Sequence, residues 1–326
     1  MNAPLLKSLV LNRLRYQCQI GLMACLILAA VASRSVAQPS PNANGTPVHM
    51  IVTVKPRRGS EVPVVNREDV MVYEGKSRDR VTEWIPAQGD HAGLDFYVMI
   101  DDGSSSALGT QLGDIKKFIA GLPPTAQVGV AYMQNGTARI EQQLTSDHDL
   151  AAKALRLPLG NVTANGSPYF SLSGLVKHWQ PDGNRHEVIM VTNGADPFYG
   201  RGDALDPYVT AAIEDCQRAG VLVSGIYAPG GGHSRRRHNR TNWGQVYLSK
   251  LTEETGGEGY YIGFVGPAPD FGPYLKDAAN RLEHQFLLTF LAQPQKKSGM
   301  RAVKIKTELH NVDLLAADAV YVPASE

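Results

Sequence analysis

The apolar and polar positions of this chain follow three successive patterns. From residue 48 to residue 85, short apolar runs alternate with turn sequences such as Arg-Gly and Glu-Gly-Lys. These runs predict a small antiparallel unit with strands over 48–54, 62–65, 70–73 and 81–85. From Leu94 onward, strand-like runs alternate with stretches of helical period, and period-two alternation returns after residue 300. The order predicts an α/β domain placed between β-strands that belong to the two ends of the chain.

The middle of the chain predicts a doubly wound, Rossmann-like parallel sheet. Apolar runs over 94–100, 126–133, 187–191 and 221–227 are typical of buried strands, and amphipathic stretches of helical length separate most of them. Asn135-Gly136 predicts a hairpin after the second of these strands. Strands over 285–291, 301–308 and 320–322 are expected to pair with the N-terminal strands in a small flanking antiparallel β-module, because chain ends often lie close together.

Composition divides the chain into a leader, a linker and three segments that are expected to fold. Residues 1–37 have the basic start, short apolar core and small-residue end of a secretory signal peptide, and an uncleaved anchor is the alternative. Residues 38–46 predict a linker, 47–90 an N-terminal β segment, 91–290 the α/β domain, and 291–326 a C-terminal β segment that joins the N-terminal one. We therefore expect an exported protein, periplasmic, cell-surface or secreted, without a transmembrane segment once the leader is cleaved.

Charge and cysteine content narrow the possible functions. The chain has 32 Lys and Arg against 31 Asp and Glu, and four of the basic residues lie in the leader, which leaves 28. A nearly neutral balance argues against general nucleic-acid binding. Cleavage would also remove two of the three cysteines and leave Cys216, which cannot form an internal disulfide and is predicted to be a buried thiol.

The strongest candidate chemistry follows the first buried strand of the α/β domain. After the apolar run 94–100, the chain reads Asp101-Asp102-Gly103-Ser104-Ser105-Ser106. In open α/β sheets, ligands bind at the carboxyl ends of the strands. Acids and hydroxyls without Cys or His are oxygen ligands suited to a hard cation such as Mg2+.

Over residues 94–290 the chain resembles a von Willebrand factor A (VWFA) domain of the secreted bacterial type. The first piece of that family's metal-binding motif is Asp-x-Ser-x-Ser. It is read either from Asp101, with Gly103 in place of the middle Ser and Ser105 as the last, or from Asp102 through Ser104 to Ser106. The register from Asp101 is favoured because this residue directly follows the strand.

The other two motif pieces lie further along the chain. Ser167 stands where the family has a Thr in a Gly-rich turn, although Ser before Pro is also a familiar helix N-cap. In Thr192-Asn193-Gly194, Asn193 replaces the family's Asp. The nearby acids Asp196, Asp203 and Asp206 are candidates to replace the missing carboxylate, but they are expected to be solvated loop residues.

The resemblance implies a metal-ion-dependent adhesion site in degenerate form. Its metal ligands would be Asp101, Ser105, Ser167 and Asn193, and Mg2+ is the only cofactor expected. An acidic residue of a protein partner would take the open coordination position. Because one hydroxyl and one charge are missing, metal affinity is expected to be low.

Partner contacts are expected from Asp102 and Ser104 and from a basic loop over 230–240 that contains Arg235, Arg236 and Arg237. This loop could steer an acidic partner, and a solvated insertion is the alternative. The sequence contains no Gly-x-Ser-x-Gly or His-Glu-x-x-His motif and no P-loop. The predicted function is therefore adhesion-type protein recognition rather than catalysis. A metal-independent envelope scaffold is the alternative, and a hydrolase is the least favoured class.

Overall fold

A computed structural model describes residues 45–160, 166–198, 206–228, 237–260 and 270–324 of the chain, with no description of the side chains of residues 237–242. The predicted signal peptide over 1–37, most of the predicted linker, and residues 230–236 of the basic loop lie outside these ranges. Within them, no helix is both long enough and apolar enough to cross a membrane.

The described residues form strands at both ends of the chain and alternating strands and helices between them. The strands are β1 (Thr46–Pro56), β2 (Met71–Glu74), β3 (Ser77–Pro86), β4 (Leu94–Asp101), β5 (Ala126–Gln134), β6 (Thr137–Thr145), β7 (Arg185–Thr192), β8 (Val221–Tyr227), β9 (Gly259–Tyr260), β10 (Gln285–Ala292), β11 (Gly299–Lys306), β12 (Val312–Leu315) and β13 (Ala319–Val322). The helices are α1 (Leu112–Gly121), α2 (His148–Lys153), α3 (Pro168–His178), α4 (Pro207–Ala219), α5 (Arg237–Thr255) and α6 (Gly272–Glu283). Short 3-10 helices cover Arg67–Asp69, Gly89–His91 and Ser106–Gln111.

The α/β sheet has the strand order β6-β5-β4-β7-β8-β9. Its neighbours are parallel except β6, which returns antiparallel to β5 through the Asn135-Gly136 turn, where both residues have positive φ. Numbered within the sheet, this order is 3-2-1-4-5-6, which is that of a doubly wound Rossmann-like sheet. The predicted fold class is confirmed.

The central strand β4 has buried residues from Leu94 to Ile100, and period-two alternation divides them between two cores. Phe96, Val98 and Ile100 pack on one face with residues of α1 and α6. Tyr97 and Met99 pack on the other face with residues of α3, α4 and α5. Full burial of each such side chain contributes about 1.5–3 kcal/mol, so helix packing on both faces fixes the position of the strand and of the loop that follows it.

The second sheet has the order β12-β1-β10-β3-β2-β11-β13 and combines strands from both ends of the chain, as predicted for the flanking module. Two details of the prediction need correction. The strand β10 pairs with β1 and β3 in this sheet, as expected for the run 285–291, so the domain boundary lies before β10 and not at 290. The run 62–65 is not a strand, although Val65 is buried in the core of the module.

A buried polar network joins β10 to the α/β sheet. The guanidinium of Arg185, at the start of β7, donates to the side-chain oxygen of Gln285 and to the carbonyl of Leu282. The amide of Gln285 in turn donates to Glu187 at 2.5 Å. Desolvation raises the pKa of Glu187, and the charge of Arg185 opposes that rise. Cys216 is fully buried in α4, as predicted.

A carboxyl pair in the module predicts a dependence of stability on pH. Asp79 is 1% exposed, and burial together with the charge of Glu74 raises its pKa to about 7. An unfolded Asp titrates near 4, roughly, so between about pH 4 and 7 the folded chain holds a proton that the unfolded chain lacks. The free energy of unfolding should therefore decrease as pH rises through 7.

Urea unfolding of the wild type and of Asp79→Asn at about pH 5.5 and about pH 8 measures this effect. We expect the wild type to lose more stability at the higher pH than the variant does. An equal loss in both proteins would contradict the proposed role of Asp79.

Candidate functional site

Asp101 and Thr192 end two neighbouring parallel strands at the carboxyl edge of the α/β sheet. Thr192 Oγ1 donates to Asp101 Oδ2 at 2.9 Å and accepts from the Gly194 amide at 3.0 Å. The other oxygen, Asp101 Oδ1, accepts from the Gly103 amide at 2.9 Å. Desolvation raises the pKa of Asp101 to about 6 in spite of these hydrogen bonds. Asp101 is thus the strand-end carboxylate that the favoured register requires.

Asp102 has a structural role. It is fully buried, and Arg156 binds both of its oxygens, with Nη1 to Oδ1 at 2.7 Å and Nη2 to Oδ2 at 3.0 Å. The Leu159 amide also donates to Oδ1, at 2.9 Å. The register that begins at Asp102 therefore lacks an available carboxylate.

Asp102 and Ser104 were predicted to contact a partner, and their burial shows that this prediction is wrong. Ser104 is 1% exposed, and its hydroxyl has no hydrogen-bond partner among the described residues. Both side chains face the interior, so neither can touch a docked protein. Ser105, the last residue of the favoured register, is partly buried, and its Oγ accepts from the Ala107 amide at 3.2 Å at the start of a 3-10 helix.

Ser167 and Asp196 form a buried pair that sequence reasoning missed. Ser167 occupies the N-cap position of α3, but its hydroxyl makes no capping bond there and donates to Asp196 Oδ2. Asp196 is 4% exposed, and its Oδ1 accepts from the Phe198 amide at 2.7 Å. The expectation of a solvated loop acid is therefore wrong for Asp196. Asp206 is buried as well, because it caps α4, and Asp203 lies outside the described residues.

The loop after β7 is held in place by several contacts. Asn193 Oδ1 accepts from the Ala195 amide at 2.8 Å, and Tyr169 Oη donates to the Gly194 carbonyl at 2.6 Å. Gly194 has φ +64, and a Cβ there would lie 2.2 Å from the carbonyl oxygen of Gly244 in α5. The close approach of these two backbones fixes Asn193 beside the end of β7.

Part of the predicted basic loop is helical. Helix α5 begins at Arg237, so residues 237–240 belong to that helix. Arg235 and Arg236 lie outside the described residues, as does the side chain of Arg237. Their role in partner binding stays a prediction.

Exposed apolar side chains surround the carboxyl edge. Phe170 and Phe198 are 41% and 62% exposed, and their ring centroids lie 6.4 Å apart. Phe170 also packs on Tyr208, at 4.5 Å. On the loop that follows Arg156, Leu157 and Leu159 are 54% and 53% exposed. We call these four residues, Leu157, Leu159, Phe170 and Phe198, the apolar rim.

The donor atoms at this edge are of the chemical kind that a hard divalent cation prefers. The set consists only of oxygens, namely the carboxylates of Asp101 and Asp196, the hydroxyls of Ser105 and Ser167, and the amide of Asn193. The Ser167 hydroxyl donates its proton to Asp196, and a lone pair of the same oxygen remains for a metal. Asp196 supplies a second carboxylate, which Asn193 does not. Gly103 still lacks the hydroxyl of the family motif.

The strand order and the single antiparallel edge strand are those of a VWFA-like fold, here with a flanking antiparallel module. No family model matches the chain, and no curated protein matches it either. Several solved structures are similar to this chain. An aerotolerance-related membrane protein of Bacteroides fragilis is 16% identical, with a TM-score of 0.43, and the match covers 58% of this chain and 98% of that one.

Two further solved structures resemble the chain. BatB from Bacteroides thetaiotaomicron is 14% identical with a TM-score of 0.42, covering 58% of this chain and 97% of that chain. A von Willebrand factor type A protein from Catenulispora acidiphila is 10% identical with a TM-score of 0.37, covering 87% and 76%. The strand order and register of this chain define its fold independently of these similarities.

Proposed function

We propose that this chain is an exported protein-recognition module that binds a protein partner at the carboxyl edge of its VWFA-like sheet. The apolar rim is the observation that carries the proposal. Phe170 follows the buried Ser167 by three residues, and Phe198 follows the buried Asp196 by two, so exposed aromatic rings flank the oxygen cluster. Exposed apolar groups beside polar ones are typical of protein-binding surfaces.

Affinity and specificity would come from different parts of this surface. Burying an aromatic side chain contributes about 1.5–3 kcal/mol, so contact with Phe170 and Phe198 supplies affinity. The oxygen cluster fixes the orientation of the partner. A divalent cation held by Asp101, Ser105, Ser167, Asn193 and Asp196 would attract a partner carboxylate to its open coordination position.

Binding rather than catalysis is the function that these contacts support. The described contacts of Asp101 come from the Thr192 hydroxyl and the Gly103 amide, and those of Asp196 include the Ser167 hydroxyl and the Phe198 amide. Among these contacts there is no imidazole or thiol that could act as a base or a nucleophile. We infer a recognition role, with a permanent envelope scaffold as the alternative.

Cross-linking and affinity purification from the native host test the recognition role. The baits are the full chain, Phe198→Ser, and Leu150→Ser as a matched control. Leu150 is also exposed, at 45%, but it lies on α2 outside the apolar rim. We expect the wild type and Leu150→Ser to recover the same partner, and Phe198→Ser to recover roughly tenfold less of it. A tenfold weaker affinity corresponds to a loss of about 1.4 kcal/mol in binding free energy.

EDTA added to the same purification distinguishes recognition through a metal from a metal-independent scaffold. Loss of the partner with EDTA supports recognition through a metal, whereas retention favours the scaffold. Equal recovery by the wild type and Phe198→Ser would contradict docking on the apolar rim.

A further inference from the structure

A second cluster of metal-ligand residues lies at the opposite edge of the α/β sheet. Asp95 is the second residue of β4 and His186 the second residue of β7, and the two are partners in the parallel register. The loop before β7 adds Asp182. One ligand atom from each residue lies within 4.8 Å of the other two. Asp95 and Asp101 are six residues apart on one strand, about 20 Å, so this cluster is separate from the carboxyl-edge site.

Contacts within the loop hold the three side chains in position. The Asn184 amide Nδ2 donates to Asp95 Oδ1 at 3.0 Å and to Asp182 Oδ2 at 3.1 Å. The Asn184 backbone amide donates to Asp182 Oδ1 at 2.9 Å. The His186 ring stacks on Trp179, with centroids 4.5 Å apart and planes inclined by 12°. Neighbours that orient ligands in this way are typical of metal sites.

The net charge of the cluster is negative, which favours the binding of a cation. Asp95 is 2% exposed and His186 is 6% exposed, while Asp182 reaches solvent. Two carboxylates face one imidazole, so at most one positive charge opposes two negative charges. Buried charges in proteins are paired or coordinate metals, and a divalent ion would balance this group.

The spacing of the ligand atoms also fits coordination. His186 Nε2 lies 3.2 Å from Asp182 Oδ1. Two atoms that each lie about 2.1 Å from one ion, at an angle of roughly 90–109°, are themselves about 3.0–3.4 Å apart. An ion could therefore replace the hydrogen bond between these two atoms with little movement of the loop.

We propose that Asp95, Asp182 and His186 bind a divalent first-row transition ion, represented by Zn2+. A mixed set of one imidazole and two carboxylates suits Zn2+, whereas Mg2+ prefers oxygen ligands alone. The ion ties the loop before β7 to the start of β4, and water fills its remaining coordination positions.

Titration of the full chain with Zn2+ tests this site, with calorimetry and the melting temperature as two readouts. We expect one saturable site and a rise in melting temperature of about 5 °C when Zn2+ exceeds its dissociation constant about a hundredfold. Asp182→Asn should lose that site and that rise. Since Asp182 is exposed and Asn retains its size, this variant is expected to fold.

Two further variants complete the test. His178→Gln changes an exposed histidine on α3 near the cluster and should bind Zn2+ like the wild type. Asp101→Asn changes the other edge of the sheet and should also leave Zn2+ binding intact, so failure of this inference is distinguishable from failure of the proposed function. Zn2+ binding that persists unchanged in Asp182→Asn, or no stoichiometric site in the wild type, would overturn the proposal.

Discussion

Replacing Arg156 with alanine is expected to lower the free energy of unfolding by about 3 kcal/mol. Asp102 is fully buried and receives two hydrogen bonds from the guanidinium, so the variant would leave a buried carboxylate without its counter-charge. Breaking a buried ion pair on one side costs about 3–5 kcal/mol. The lower end applies because the Arg156 side chain is 31% exposed, and water could reach the carboxylate after truncation.

Further contacts of Arg156 make the expected decrease in the free energy of unfolding larger than the decrease caused by truncating a surface arginine. Its guanidinium carbon lies 3.8 Å from the centre of the Tyr132 ring. Its backbone amide donates to Tyr132 Oη at 2.7 Å, and Tyr132 Oη donates to the Arg156 carbonyl at 2.6 Å. The backbone bonds remain in Arg156→Ala, so the expected loss reports on the side chain.

Chemical denaturation measures the interaction energy between Arg156 and Asp102. The four proteins compared are the wild type, Arg156→Ala, Asp102→Asn and the double variant. In the double variant no charge is left buried, so it should lose less stability than the sum of the two single losses. Arg139→Ala is the surface control. Arg139 pairs with Glu141 at 3.2 Å, and its side chain is 60% exposed. Arg139→Ala should therefore lower the free energy of unfolding by no more than about 1 kcal/mol. Equal losses for Arg156→Ala and Arg139→Ala would contradict the structural role of Asp102.

The sequence predicted the architecture because periodicity is a local property. The strand Val221–Tyr227 begins and ends at the predicted residues, and Gly220 marks its start. The run 285–291 was correctly expected to pair with the N-terminal strands, but the domain boundary was placed at 290, after most of β10. The composition of β10 resembles that of any buried strand, and its pairing with β1 and β3 is what fixes the boundary.

The candidate site was harder to predict because its acids differ in environment and not in type. Asp101 and Asp102 are adjacent, yet one ends a strand and the other binds Arg156, which lies 54 residues away. Asp196 has no motif around it. Its burial depends on Ser167, 29 residues earlier, and no local pattern records that contact. Asp196 was among the acids near Asn193 that could replace the missing carboxylate, but no feature of the sequence favoured it over Asp203 or Asp206.

Replacing Asn193 with aspartate is expected to tighten divalent-metal binding about tenfold or more, because ligand charge tunes the affinity of such sites. The loop should not rearrange. The Asn193 oxygen accepts from the Ala195 amide, and an aspartate oxygen can accept the same bond. Asp101→Ala should abolish binding, because it removes the carboxylate at the strand end. Thr192 and Gly103 would lose an acceptor there, but no charge would be left buried.

Calorimetric titration with Mg2+ and Mn2+ tests the metal-assisted recognition site most directly. The proteins are the full chain, Asp101→Ala and Asn193→Asp, each also carrying Asp182→Asn so that the opposite edge of the sheet does not contribute. We expect weak, saturable binding by the reference protein, no binding by Asp101→Ala, and at least about tenfold tighter binding by Asn193→Asp. Folded proteins that bind neither ion, even with Asn193→Asp, would contradict metal-assisted recognition at this edge.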